Sequence, residues 1–152
     1  MNTQHRTTSI SRINSLDSRL VASAMRVFER CSKVKIPIYI TWGHRSFEEQ
    51  SLLFRFGRSI PGQTVTSRRA GFSAHNYGLA LDYCLLFEDT LLSWEDVYPR
   101  FYWRRKWLKV AAFFEEEGWE SGWRQPSFEP QHVQNLLGQD LLYYVQQHEN
   151  SK

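Results

Sequence analysis

Apolar residues recur at helical spacing through Leu16, Leu20, Ala24, Val27 and Cys31, with Phe28 on one flank and Arg19, Arg26 and Arg30 beside the stripe. That pattern predicts an amphipathic helix over about 14–31. The residues before it, 1–12, are polar, with Thr7, Thr8, Ser9 and Ser11, and are expected to fray. From Lys35 to Trp42 the isoleucines Ile36, Ile38 and Ile40 alternate with other residues, which predicts a strand. Pro37 confines that strand to an edge or to an unpaired position. Gly43 turns the chain, and Ser46-Phe47-Glu48-Glu49 fits a capping box opening a short helix to about Phe56. Phe47, Leu52, Leu53, Phe54 and Phe56 surround its axis, so the helix is expected to be largely buried.

Residues 57–74 carry Gly57, Pro61, Gly62 and Gly71 without a sustained period and read as a long ordered loop, a feature that is usually functional. Leu79 to Phe87 is an apolar run interrupted by Asp82, the pattern of a buried strand. Between Tyr102 and Glu117, Trp103, Trp107, Val110 and Phe114 share a helix face opposite Arg105, Lys109 and Glu116, and Gly118 supplies the stop. A last helix is predicted over about Asn135–Gln147 from Leu136, Leu137, Leu141, Leu142, Tyr144 and Val145. No internal repeat and no linker interrupts this order. It describes one α+β domain over residues 13–150.

Composition narrows the partners. With 152 residues and 41% hydrophobic content, one core can form. No apolar run approaches the ~18 residues of a membrane span, so stable membrane insertion is not expected. The start of the chain has no apolar stretch of the kind an export signal needs. Cys31 and Cys84 are too few for a disulfide framework or a cysteine zinc ribbon. The net charge of +3 and isoelectric point near 9.0 suit an anionic partner only mildly. Phe101-Tyr102-Trp103-Arg104-Arg105-Lys106-Trp107 interleaves aromatic and basic residues as a single-strand stacking groove does. Yet Trp103 and Trp107 lie on the stripe with Val110 and Phe114, so core packing explains them and no nucleic-acid partner is expected.

The chemistry concentrates in Ser73-Ala74-His75-Asn76-Tyr77-Gly78-Leu79-Ala80-Leu81-Asp82. His75 and Asp82 would stand ~10.5 Å apart along a continuous helix, too far to share a metal. A turn at Asn76-Tyr77-Gly78 feeding the strand would fold them together. An aspartate inside an apolar strand is costly unless paired, and a metal, Arg45 or a backbone amide would each relieve it. Cys84, on the same strand face as Asp82, reads as a small buried hydrophobe rather than a ligand.

Ser-x-His-x-x-Gly-x-Ala-x-Asp resembles the signature of the zinc-dependent peptidoglycan peptidases of the D-Ala-D-Ala/L-Ala-D-Glu group. The resemblance runs upstream through Trp42-Gly43-His44-Arg45-Ser46, Glu49-Gln50, Leu53, Gly57-Arg58, Pro61-Gly62 and Val65-Thr66. It resumes at Gly118-Trp119-Glu120-Ser121-Gly122-Trp123 and ends at Phe128-Glu129-Pro130-Gln131-His132-Val133-Gln134, covering roughly residues 15–135. It implies a Hedgehog/D-Ala-D-Ala peptidase-like fold, a short and mainly antiparallel sheet flanked by helices. It also implies one Zn2+ held by His75, Asp82 and His132, with Glu129 as the catalytic carboxylate and Arg45 as the catalytic cation. Two histidines and a carboxylate leave the fourth tetrahedral position open for water, as a catalytic zinc requires. In that scheme Glu129 takes a proton from the zinc-activated water and returns it to the leaving amine, while Arg45 stabilises the oxyanion. Ser73, Tyr77, Trp123 and His44 are the candidates for substrate contact, and Ser73 for orienting His75.

The match departs at Glu129-Pro130-Gln131-His132-Val133, where the endopeptidase branch usually has Asp-x-Pro-His-Phe. Glutamate there is more like the D-Ala-D-Ala dipeptidase branch, whereas the stretch from Arg45 to Asp82 looks like the L-Ala-D-Glu endopeptidases. Glu120-Ser121-Gly122-Trp123 also differs, since relatives often have a tryptophan followed by two glycines. The resemblance therefore implies hydrolysis of a peptidoglycan stem peptide between L-Ala and D-Glu, with D,D-carboxypeptidase or D-Ala-D-Ala dipeptidase action as the rival. A zinc-containing cell-wall-binding module is the non-enzymatic alternative, against which the retention of Glu129 and Arg45 speaks. A monomer made in the cytoplasm and released or exported to the wall completes the expectation.

Overall fold

The computed structural model describes residues 1–94, 101–124 and 128–151. The amphipathic stripe read from the sequence forms helix α2 (Ser18–Lys33), whose Leu20, Ala24, Val27, Phe28 and Cys31 are buried. It begins later than the periodicity suggested, because the Asp17 carboxylate accepts from the Arg19 backbone N–H and sets the first turn there.

The segment expected to fray is instead helix α1 (Thr3–Asn14), capped by the Asn2 side chain. Its polar residues have a structural use. Ser9, fully buried, accepts from the Ile40 backbone N–H at 3.1 Å, and Arg12 donates to the Ile40 carbonyl at 2.7 Å and to the Tyr39 hydroxyl at 2.9 Å. These side chains satisfy the outer edge of strand β1 (Ile38–Trp42), which would otherwise present open backbone groups to another chain. Pro37 precedes that edge strand as its missing donor requires.

Among the described residues the sheet holds β1, β2 (Ala80–Phe87), β3 (Thr90–Leu92), β4 (Glu120–Ser121) and β5 (His132–Gln134), all paired antiparallel. The order is β1-β2-β5-β4, with β3 added as a hairpin on the far end of β2. Helix α4 (Phe101–Glu116) lays Trp107, Val110 and Phe114 on this sheet, and the Trp107 ring meets Tyr83 at 5.1 Å. Trp119 closes that side, donating its indole N–H to the Ser23 hydroxyl at 3.0 Å. Among the described residues, five helices around a short open antiparallel sheet make the α+β architecture the sequence predicted.

Two elements differ from expectation. Helix α3 (Phe47–Arg55) has the expected capping box between Ser46 and Glu49, but Gln50 is its one buried residue, and Leu52 is 49% exposed. The inward position of α3 is used for a polar contact with the site, so its apolar residues only flank the core. The last helix, α5 (Leu141–Asn150), starts six residues late, at Leu141, after Asp140, whose side chain caps it by accepting from the Tyr143 N–H. Strand β5 uses residues 132–134, and Leu137 (φ 54°) and Gly138 (φ 78°) turn the chain before a helix can begin. His148 stacks on Phe47 at 4.3 Å and ties α5 to α3.

Candidate metal centre

Register brings the site together. On β2, Asp82 stands directly opposite His132 of β5 on one side and opposite Trp42 of β1 on the other. Directly opposed residues on antiparallel strands share a face with Cβ atoms ~5 Å apart. A register shift between Ile40 and Trp42 bulges β1 and re-aims its end toward Asp82.

His75 arrives from the other direction. A 3₁₀ turn, Ala74–Tyr77, ends at Gly78 in the left-handed region (φ 68°), after which Leu79 enters β2. A side chain at Gly78 would also lie 2.6 Å from the Asp17 backbone nitrogen, so the hinge is open only to glycine. This turn folds His75 back beside Asp82, as the spacing of the two residues required.

The ligand atoms of His75, Asp82 and His132 all lie within 4.8 Å of one another. His75 Nε2 is 3.4 Å from Asp82 Oδ2, and His132 Nδ1 is 2.9 Å from Asp82 Oδ1. Nδ1 of His75 lies 2.8 Å from the Gly43 carbonyl, which only accepts, so this nitrogen carries a proton and Nε2 is the one directed at Asp82. Gly43, not Ser73, therefore orients this imidazole. Two imidazole nitrogens and a carboxylate converging on one point are a donor set that could hold a metal ion. Burial pushes the Asp82 carboxyl up, but His75 and His132 outweigh it and hold it well below the usual carboxylate range. Burial lowers His132, and Asp82 more than offsets it, with Gln134 and Glu129 adding to the rise.

Arg45 is buried and fixed on three sides. Its Nη1 donates to Gln50 Oε1 at 2.9 Å, its guanidinium lies 4.6 Å over the Trp42 ring, and its Nη2 is 3.8 Å from Asp82 Oδ2. Burial lowers its pKa, Asp82 and Glu49 pull it back, and an arginine remains a cation throughout. Gln50 continues the chain of contacts, donating to the Arg68 carbonyl at 2.7 Å, which fixes one wall of the cleft. Asn76 ties the His75 turn to the same region through the Arg45 and Ser46 carbonyls.

The cleft over this centre encloses about 460 Å³ and is lined by Arg45, Ser73, His75, Asp82, Glu129 and His132 among others. Of the four expected substrate contacts, the structure brings Ser73 there. Tyr77 instead donates its hydroxyl to the Gly71 carbonyl and packs on Phe47 and Tyr144. Trp123 packs edge-on against Trp94 at 4.7 Å and against Phe128. His44 is exposed outside the lining, and Cys84 is buried in the core. Trp42, Gln50 and Gln134 were missed as site residues, though each stood within or beside a quoted motif.

Comparisons with known proteins fit this geometry. The family model described as VanY, D-alanyl-D-alanine carboxypeptidase, matches residues 13–125. The chain is 40% identical over 88 residues to the peptidoglycan L-alanyl-D-glutamate endopeptidase CwlK of Bacillus subtilis strain 168, covering 57% of this chain and 53% of that protein. Its fold is similar to that of the L-Ala D-Glu endopeptidase ChiX of Serratia marcescens, with a TM-score of 0.56 and 22% identity over 84% of this chain and 86% of the other. A second similar structure is the LD-carboxypeptidase LdcB, with a TM-score of 0.62 and 16% identity over 88% of this chain and 64% of the other.

Proposed function

The chain belongs to the VanY D-alanyl-D-alanine carboxypeptidase family, and from that membership we propose a zinc metallopeptidase that cuts the stem peptide of peptidoglycan between L-Ala and D-Glu. The observation that carries it is the convergence of His75, Asp82 and His132 in a cleft that also holds Glu129 and Arg45. The relative that is an L-alanyl-D-glutamate endopeptidase, at 40% identity, supports the choice of bond. Residues 13–150 would act as one catalytic unit, working at the wall.

His75 Nε2, an Asp82 oxygen and His132 Nδ1 would hold the ion. Bound there, zinc supplies Lewis acidity and brings the pKa of a water toward ~7. Glu129, which lines the cleft, takes the proton of the attacking water as its oxygen bonds to the carbonyl carbon. It then delivers that proton to the amine as the C–N bond breaks. Arg45 meets the negative charge that develops on the carbonyl oxygen. Its contacts with Gln50 and Trp42 keep it from reorganising at that moment. Arg45→Ala is expected to lower kcat by ~10²–10³-fold with KM changed far less. An unchanged kcat in steady-state assays would make Arg45 structural.

Digestion of purified muropeptides, read by mass spectrometry with and without a chelator, tests the whole reading. New D-Glu amino termini that vanish on chelation and return with zinc are expected. Release of free D-Ala without such termini would move the activity to D,D-carboxypeptidase chemistry, and no cleavage at all would leave a wall-binding module.

A further inference from the structure

Strands β4 and β5 place Glu120 directly opposite Gln134. Gln134 and His132, two residues apart on β5, share a face, and the residue opposite Gln134 on β2 is the small Ala80. Gln134 Nε2 donates to Glu120 Oε2 at 2.9 Å, and Gln134 Oε1 sits 3.3 Å from His132 Nε2. The other nitrogen of that ring, Nδ1, donates to Asp82 Oδ1 at 2.9 Å, so both ring nitrogens stand against acceptors.

We propose that Glu120 and Gln134 form a positioning relay that decides which nitrogen of His132 is offered to the metal, an inference that rests on the metal-site reading above. The reasoning follows from donor and acceptor inventory. A carboxylate only accepts, so Glu120 draws the NH2 end of the Gln134 amide toward itself and leaves the carbonyl end facing His132. That carbonyl also only accepts, so it holds a proton on Nε2. When a metal displaces the proton that Nδ1 gives to Asp82, the ring keeps its proton on Nε2 and offers the Nδ1 lone pair, the nitrogen that points into the centre. Without Glu120 the amide is free to turn over and set its NH2 against Nε2. The ring proton would then move to Nδ1, where a metal has to enter. His75 is wired the opposite way: the Gly43 carbonyl holds the proton on Nδ1 and frees Nε2. Each ligand thus has its own acceptor, a backbone group for one and a two-residue side-chain relay for the other. Glu120 is itself exposed.

Zinc affinity, measured on metal-free protein by competition with a chromophoric chelator, is the test. Gln134→Leu is expected to weaken zinc binding ~10–100-fold, the usual cost of losing an outer partner of a metal-bound histidine. Glu120→Leu should weaken it in the same direction. The double variant should be no weaker than Gln134→Leu, because the two act in series. The exchanged pair Glu120→Gln with Gln134→Glu should return to within about threefold of wild type. In that pair the carboxylate at position 134 accepts from both His132 Nε2 and the amide at position 120. Far-UV circular dichroism of the metal-free variants should match wild type. Zinc binding by Gln134→Leu at wild-type strength, or an exchanged pair no tighter than Gln134→Leu, would overturn the relay. A wild-type protein that takes up no zinc would overturn the metal-site reading itself and the relay with it.

Discussion

Glu129→Gln is expected to cost ~10²–10⁴-fold in kcat while the protein still takes up one zinc. Two features make this substitution informative. Glu129 is positioned by its backbone: its N–H donates to the Gly122 carbonyl at 3.2 Å, and its carbonyl accepts from the His132 N–H at 2.9 Å. Gly122 must remain without a side chain for that docking, since a Cβ there would lie 2.0 Å from the Glu129 oxygen. An amide in place of the carboxylate therefore leaves the path of the segment, and the seating of His132, intact. What disappears is the carboxylate proposed to take the water's proton. Zinc stoichiometry by elemental analysis should stay at wild-type level while turnover of a muropeptide collapses with little change in KM. Normal turnover would remove Glu129 from the mechanism. The segment 128–132 is held by main-chain bonds to Gly122.

How far the sequence reached depends on what kind of signal each feature leaves. Helix α2, the capping box of α3 and strand β2 were readable because burial of one face imposes a period and a cap imposes residue types at fixed offsets. Helix α1 was not, because its inward residues Ser9 and Arg12 bond the edge of β1 and leave no apolar stripe. The burial of α3 was misjudged for the same reason: its inward position serves Arg45 through Gln50. At the site, the spacing of His75, Gly78 and Asp82 showed that a turn was needed. Pairing His132 with Asp82 depended on a register that spans fifty residues and came only by resemblance to a family. Tyr77, Trp123 and His44 were chosen as polar or aromatic residues near the motifs, and proximity in sequence says nothing about which side of a turn a side chain takes. Gln134 and Glu120 stood inside quoted motifs, but only the pairing of β4 with β5 shows that they face each other.

His75→Ala is expected to abolish stoichiometric zinc and with it all chelator-sensitive hydrolysis, while the fold survives. The core explains why these two outcomes separate. Phe28, Ile38, Ile40, Leu81, Tyr83, Trp107 and Phe114 are buried together without any contribution from the three proposed ligands. Small metal domains that fold only with their ion lack such a core. In the metal-free protein Asp82 is still faced by Arg45 and His132, so removing one imidazole does not leave its charge unpaired. The decisive measurement is thermal unfolding with zinc added. A ligand that binds only the native state stabilises it by about 4 kcal/mol at a thousandfold excess over its Kd, so wild-type Tm should climb with zinc concentration. His75→Ala should give the same circular dichroism spectrum as metal-free wild type and a Tm that zinc does not raise. A zinc-dependent rise equal to wild type would take His75 out of the ligand set. Loss of the fold in the metal-free variant would mean instead that the His75 turn, with its bond to Gly43 and its hinge at Gly78, supports the structure as well as the ion.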